Sequence, residues 1–258
     1  MQLSQGDDDG EILRGDMNGD GRDELIVEMN KIVAQLTVYG YMGNRLGTFL
    51  LDCKINNAVC GDVDGDKRDE LLNIEFGCLA AYGLGQERRE VDGWPPGCYP
   101  SACRDIDGDG VDEVIACHTR MISPENYDPV TRQYKGLSKD IGEKQFEVWV
   151  AKHAAPQGGI FFPRTGRFVP LQFPDANWRM NILTGDRGEV ICTDYDRDGR
   201  IEVLAKAMVG TMLMAFGEGG RLEYREEFGE PAFGLSLART GKREYVVVQL
   251  AKRLIVTP

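Results

Sequence analysis

Gly15-Asp16-Met17-Asn18-Gly19-Asp20-Gly21-Arg22-Asp23-Glu24-Leu25-Ile26-Val27 is the first of four closely similar segments in this chain. The second is Gly61-Asp62-Val63-Asp64-Gly65-Asp66-Lys67-Arg68-Asp69-Glu70-Leu71-Leu72. The third is Arg104-Asp105-Ile106-Asp107-Gly108-Asp109-Gly110-Val111-Asp112-Glu113-Val114-Ile115. The fourth is Thr193-Asp194-Tyr195-Asp196-Arg197-Asp198-Gly199-Arg200-Ile201-Glu202-Val203-Leu204. Their first aspartates are 46, 43 and 89 residues apart, and a decayed fifth copy begins at Ala238, 44 residues after Asp194. A recurrence of this kind sets the architecture before any other feature does.

Each copy follows a short apolar stretch (Ile12-Leu13, Ala58-Val59, Val190-Ile191) and precedes a β-prone one. A second apolar segment comes next, as in Ile32 to Tyr39, Cys78 to Tyr82 or Met212 to Phe216, and then a more polar one such as Arg221 to Phe228. That is four short strands per unit. Such a unit cannot bury both faces of its sheet alone; set radially, each sheet packs on its neighbours. The expected fold is an all-β propeller of four-stranded antiparallel blades in a single domain.

The 89-residue interval leaves a six-blade ring open. Five is the preferred count, because Phe146-Glu147-Val148-Trp149-Val150 resembles the second apolar strand of a unit. The blades then run at about 16–61, 62–104, 105–193, 194–237 and 238–258 plus 1–15. The third carries insertions at roughly 119–144 and 155–187. The last unit keeps Tyr245 to Leu250 and Arg253 to Val256, and Glu11 to Arg14 is expected to supply its inner strand, so that both chain ends close the ring and remove exposed edges.

Loop positions 1, 3 and 5 carry Asp16, Asn18, Asp20; Asp62, Asp64, Asp66; Asp105, Asp107, Asp109; and Asp194, Asp196, Asp198. Position 9 is Glu24, Glu70, Glu113 or Glu202. Carboxylates at alternate positions of a tight turn converge and repel, and a hard dication taking 6–8 oxygens resolves the conflict. Arg22, Arg68, Val111 and Arg200 at position 7 would add backbone carbonyls. Position 8 is Asp in three copies but Ile201 in the fourth, so it is not read as a ligand. An EF-hand needs Glu at position 12 and flanking helices. Val27, Asn73, Ala116 and Ala205 stand there between β-prone flanks, which rejects it.

These loops resemble the FG-GAP/VCBS-type repeat of integrin-α-like propellers, Asp-x-Asp/Asn-x-Asp-Gly-x-x-Asp/Glu followed by apolar residues. The resemblance extends over almost the whole chain at blade spacing and is specific at the four loops. It implies Ca²⁺, about four ions, in the loop joining the first two strands of a blade. Lys67 departs from the pattern where a glycine is usual and a left-handed backbone is easiest, so the second site is expected to be weaker or strained. The Ala238 loop lacks the acids and should bind nothing.

The remaining composition excludes more than it selects. The 258 residues carry a net charge of -12, which disfavours a phosphate backbone as partner. No apolar run approaches the ~20 residues that cross a bilayer, so membrane insertion is not expected. Seven cysteines include no pair at CxxC spacing. Cys98 and Cys103 could pair locally, but buried free thiols are favoured, and Cys60, Cys103 and Cys192, each two residues before a loop's first aspartate, read as packing residues near the axis. His118 and His153 read as structural. Arg14-Gly15-Asp16 matches an adhesion tripeptide, but its aspartate is needed by the first loop.

With the aspartate loops on one face, the connections from strand two to three and from four to one lie on the other. Arg120, Tyr127, Arg132, Tyr134, Trp178 and Arg179 fall in the insertions there, and Trp94 and Tyr99 should join them. Exposed aromatics with polar neighbours suit sugar rings or peptide segments. The leading function is a non-catalytic binding or adhesion module for a glycan or protein. The alternatives are a polysaccharide lyase or hydrolase and a self-assembling subunit. The enzyme would draw on Arg120, Asp128, Arg132, Lys135, Asp175 and Arg179, without a spacing that ties them into a mechanism. Weak calcium loops fit millimolar extracellular levels. The first residues, without a basic and then apolar run, and the odd thiol count lean toward the cytoplasm. The location favoured is extracellular or cell-surface.

Overall fold

The computed structural model describes residues 12–30, 35–51, 55, 58–95, 97–118, 127–128, 133–134, 158–173, 190–206, 211–240, 243–250 and 252–257. The protein is an all-β five-blade propeller. Blade one pairs β1 (Ile12–Gly15), β2 (Glu24–Asn30), β3 (Gln35–Tyr39) and β4 (Arg45–Leu50) in that order. Blade two does the same with β5 (Val59–Gly61), β6 (Glu70–Glu75), β7 (Cys78–Tyr82) and β8 (Arg89–Glu90). In the third, β9 (Cys98–Arg104) and β10 (Glu113–His118) precede a small separate hairpin, β11 (Tyr127–Asp128) with β12 (Gln133–Tyr134). The sheet then resumes with β13 (Gly158–Phe162) and β14 (Arg167–Pro170). Blade four is β15 (Val190–Thr193), β16 (Glu202–Lys206), β17 (Met212–Phe216) and β18 (Leu222–Glu227). Blade five has three described strands, β19 (Ala232–Thr240), β20 (Arg243–Leu250) and β21 (Leu254–Thr257).

Strand alternation explains how the blades pack. Loop positions 10 and 11, the second and third residues of the second strand, point to opposite faces. Leu71, Val114 and Val203 face the preceding blade; Leu72, Ile115 and Leu204 face the following one, and all six are fully buried. Four apolar clusters result. Ile26 and Val38 meet Leu71 and Tyr82 between blades one and two. Leu72 and Ala81 meet Val114 and Phe161 at the next seam. Ile115 and Ile160 meet Val203 and Phe216, and Leu204 and Ala215 meet Val246 and Val248. Blade one departs from the pattern: Leu25, its position-10 residue, is 51% exposed, and Leu254 of blade five is 64% exposed.

Two expectations are corrected. Ile12 to Arg14 does not enter blade five: β1 pairs with β2 of its own blade, Leu13 opposite Ile26, and Leu13 packs on the first seam. The inner strand of blade five comes from β19, the long Ala232–Thr240 run that a decayed loop had hidden. The third strand of blade three is Gly158–Phe162 rather than Phe146 to Val150, which lies outside the described residues. All five residues of β13 are buried, and Gly159 lets the ring of Phe168 lie against the backbone. The chain between β10 and β13 and the chain between β14 and β15 therefore bound the two insertions, and both leave the sheet at the end opposite the aspartate loops.

Candidate metal centre

Each aspartate loop closes on its first residue. Asp16 accepts the backbone N–H of Asp20 at 3.0 Å and of Gly21 at 2.7 Å. Asp62 accepts those of Gly65, Asp66 and Lys67. Asp105 takes Gly108 and Gly110, and Asp194 takes Gly199. Position 3 accepts the N–H of position 5 in all four loops, at 2.8–3.1 Å. Position 5 accepts that of position 7 in three of them, from Arg68, Val111 and Arg200 at 2.9 Å.

This winding requires a left-handed backbone at positions 4 and 6. Glycine supplies it in most copies, but Lys67 has φ 68° and Arg197 φ 65°. The strain expected at Lys67 is present, and Arg197 repeats it in the fourth loop. A non-glycine residue in this region is uncommon because its Cβ crowds the neighbouring carbonyl.

The position-9 glutamates start the second strands and are buried. Each returns one carboxylate oxygen to the loop backbone: Glu24 to Asn18 N–H, Glu70 to Val63, Glu113 to Ile106, Glu202 to Tyr195. Burial pushes all four carboxyls above their ordinary range, Glu70 to about 8 and Glu113 to about 7. Backbone hydrogen bonds oppose this, and neighbouring aspartates add to it.

Three groups bring one oxygen from each of three carboxylates within 4.8 Å: Asp62, Asp64, Asp66; Asp105, Asp107, Glu113; and Asp194, Asp196, Glu202. In the first loop the Asn18 amide lies between Asp20 and Glu24, donating at 3.3 and 2.9 Å. Two acidic oxygens, Glu70 Oε1 and Asp194 Oδ1, are buried without a hydrogen-bond partner. An all-oxygen donor set with orphaned buried oxygens fits a hard divalent cation.

Sequence reasoning missed the cations already beside these loops. Arg89 of β8 places Nη2 3.1 Å from Asp64 Oδ2 and 3.2 Å from Glu70 Oε2. Arg164, in the β13–β14 turn, donates to Asp109 at 2.8 Å. Neither belongs to the loop motif; only strand register brings them there.

In blades two and three the position-8 aspartate clamps the preceding blade. Asp69 accepts the N–H of Asp16 at 2.8 Å and donates its own N–H to Asp16 O at 2.9 Å. Asp112 repeats this on Asp62, at 3.1 and 2.7 Å. The residue before each clamped aspartate is glycine for lack of room: a Cβ on Gly15 would lie 2.5 Å from Cys60 Cβ, and one on Gly61 would collide with Cys103 Cβ. The thiols of Cys60, Cys103 and Cys192 are free and act as small packing groups; Cys98 is also free. Between blades three and four Ile201 replaces the clamp and Arg104 the glycine. The Arg104 guanidinium pairs at 3.1 Å with Glu244, which also accepts from Thr193 at 2.7 Å. Arg14-Gly15-Asp16 is thus a strand end bound into a seam.

Of the ligand-face residues, Trp94 is corrected. It is buried edge-on against Phe161, 5.3 Å between centroids, and its indole N–H donates to Cys98 O. The β8–β9 connection folds it inward to fill the second seam. Tyr99 is half-buried on β9. Tyr127 and Tyr134 are paired in register on the small hairpin. Arg120, Arg132, Trp178 and Arg179 lie outside the described residues, as do Lys135 and Asp175.

No family model and no curated protein matches the chain. Among solved structures it is similar to the V. cholerae biofilm matrix protein Bap1, at 15% identity and a TM-score of 0.43, over 93% of this chain and 34% of that one. The Photorhabdus luminescens Tc holotoxin pore gives 12% and 0.47, over 97% and 11%. BBS1N in complex with ARL6DN gives 10% and 0.43, over 96% and 81%. The chain thus spans about a third of the first and a ninth of the second. Likenesses at this level carry no functional argument.

Proposed function

We propose that this propeller is a calcium-stabilised, non-catalytic binding module of the FG-GAP/VCBS type. It recognises a glycan or protein ligand through the face opposite the aspartate loops. The observation that carries the reading is the convergence of three carboxylates within 4.8 Å in three separate loops, with Glu70 Oε1 buried and unpaired. Asp16, Asn18, Asp20 and Glu24 would hold a fourth ion once the Asn18 amide turns its oxygen inward. Calcium neutralises the acids and fixes the loops; the chain's own residues position them. The ligand face is supported by the two long connections of blade three, since loops of that length are usually functional or disordered. A module of this kind suits calcium-rich surroundings, hence an extracellular or cell-surface location.

Calcium titration by calorimetry, with thermal unfolding in excess chelator, tests the metal reading. An ion at 100 times its Kd contributes about 2.7 kcal/mol per site. The melting temperature should therefore fall by about 5 °C or more for each site emptied. An unchanged value refutes the assignment. A glycan array run beside a depolymerisation assay tests the rest: binding without turnover supports the module, and turnover overturns it in favour of a polysaccharide-active enzyme.

A further inference from the structure

Beside the fourth loop, at the seam between blades four and five, is a cavity of about 360 Å³. Asp196 and Glu202 of the loop line it, with Ala215, Glu223 and Tyr224 from the outer strands and Tyr195 from loop position 2. In the other copies position 2 is an apolar side chain buried in the core: Met17, Val63 or Ile106. The fourth blade instead places a phenol ring there, half-buried against the seam and 5.4 Å from the ring of Tyr224, itself 44% exposed.

Strand register identifies what belongs in such a cavity. In blade two Leu72 pairs with Ala81, and Ala81 with Arg89. In blade four Leu204 pairs with Ala215, and Ala215 with Tyr224. Tyr224 therefore occupies the place of Arg89. Asp196 and Glu202 are the counterparts of Asp64 and Glu70, the two acids that Arg89 contacts at 3.1 and 3.2 Å. In blade two an arginine of the chain itself fills this position; in blade four the same pair of acids faces a cavity. Arg89 approaches Glu70 at Oε2 and leaves Oε1 without a hydrogen-bond partner, so a guanidinium and a loop ion can share one carboxylate.

We propose that the fourth-blade cavity receives an arginine side chain from a partner protein. Asp196, Glu202 and Glu223 supply the negative field, and Tyr195 and Tyr224 supply ring faces. A planar guanidinium pairs with carboxylates and stacks on aromatic rings, which an ammonium does less well. The site lies at the loop end of the propeller. It is separate from the ligand face proposed above and holds whether or not that face binds anything.

The test uses the full chain in calcium-replete buffer, with Nα-acetyl-arginine methylamide as probe and the blocked citrulline analogue as its neutral isostere. Ring resonances of Tyr195 and Tyr224 are followed by NMR. The expected result is saturable shifts at both rings with a Kd on the order of 1 mM, at least tenfold weaker with citrulline. Tyr224→Arg rebuilds the blade-two arrangement and should abolish binding. Absence of saturable shifts at the two rings, equal binding of citrulline, or undiminished binding by Tyr224→Arg overturns the proposal. Should Tyr224→Arg not fold, the arginine–citrulline comparison on the unaltered chain decides alone.

Discussion

Asp112→Ala and Asp112→Asn together measure the clamp between blades two and three. The Asp112 carboxylate accepts the N–H of Asp62 at 3.1 Å, while its own N–H donates to Asp62 O at 2.7 Å. Alanine keeps the second bond and strands the Asp62 donor, a loss of about 1–3 kcal/mol. Against this stands the cost of holding a charge there: burial and the neighbouring Asp69 and Asp62 push the Asp112 carboxyl from 3.8 to about 6, opposed by the Asp62 hydrogen bond and Arg104. Asparagine keeps an acceptor and removes the charge. At pH 7.5 Asp112→Ala should therefore unfold about 2 kcal/mol more easily than the native chain, which for a chain of this size lowers the melting temperature by about 4–8 °C. Asp112→Asn should stay within about 0.5 kcal/mol of native or exceed it. Urea unfolding at constant calcium, followed by tryptophan fluorescence, provides the comparison. Equal losses for the two variants, or an alanine variant as stable as the native chain, would refute the clamp.

Gly61→Ala should destabilise by more than the ~1 kcal/mol scale of an ordinary glycine replacement, because its Cβ would meet Cys103; normal expression and an unchanged melting temperature would contradict the packing. Lys67→Gly should instead stabilise by about 1 kcal/mol through relief of a left-handed backbone, checked by the same unfolding assay. Burial holds the Cys98 and Cys192 thiols up at about 12, against an ordinary 9.0, whereas Cys78 is exposed. Iodoacetamide on the folded protein should accordingly modify Cys78 well before either, as read by peptide mass mapping. In chelated protein Glu70 and Glu113 keep their protons to about 8 and about 7, against 4.5 when unfolded. The folded state then binds more protons, so its stability should fall as pH rises from about 4.5 to 8; a melting temperature that rises across that window would contradict the burial.

The ring was legible in the chain because one short loop recurs, and the loop carries its own winding instructions: acids at 1, 3 and 5, glycines at 4 and 6, a glutamate at 9. Each of these does local work that spacing alone reveals. What escaped was set by packing between distant segments. Asp69 and Asp112 look like spare acids until the preceding blade is beside them. Arg89 lies 19 residues beyond Glu70 and reaches the loop only through the β7–β8 register. Trp94 has a loop-like neighbourhood of Gly and Pro, yet the seam needs a large ring, and burial of that ring outweighs the local polarity. The third strand of blade three was misplaced because Phe146 to Val150 and Gly158 to Phe162 are both apolar, and apolarity cannot rank two candidates for one slot.

The clamps also join loops in series. Asp16 and Asp62 each close their own loop with the side chain while their backbone is gripped by the next blade. Tightening one loop therefore strains or relieves its neighbour, whereas Ile201 offers no such grip between the third and fourth loops, which are linked instead through Glu244 with Arg104 and Thr193. On the calcium reading proposed above, filling of the first three sites should thus be more strongly coupled than that of the fourth, giving a two-phase calcium isotherm. Asp69→Ala would split the first phase without moving the second.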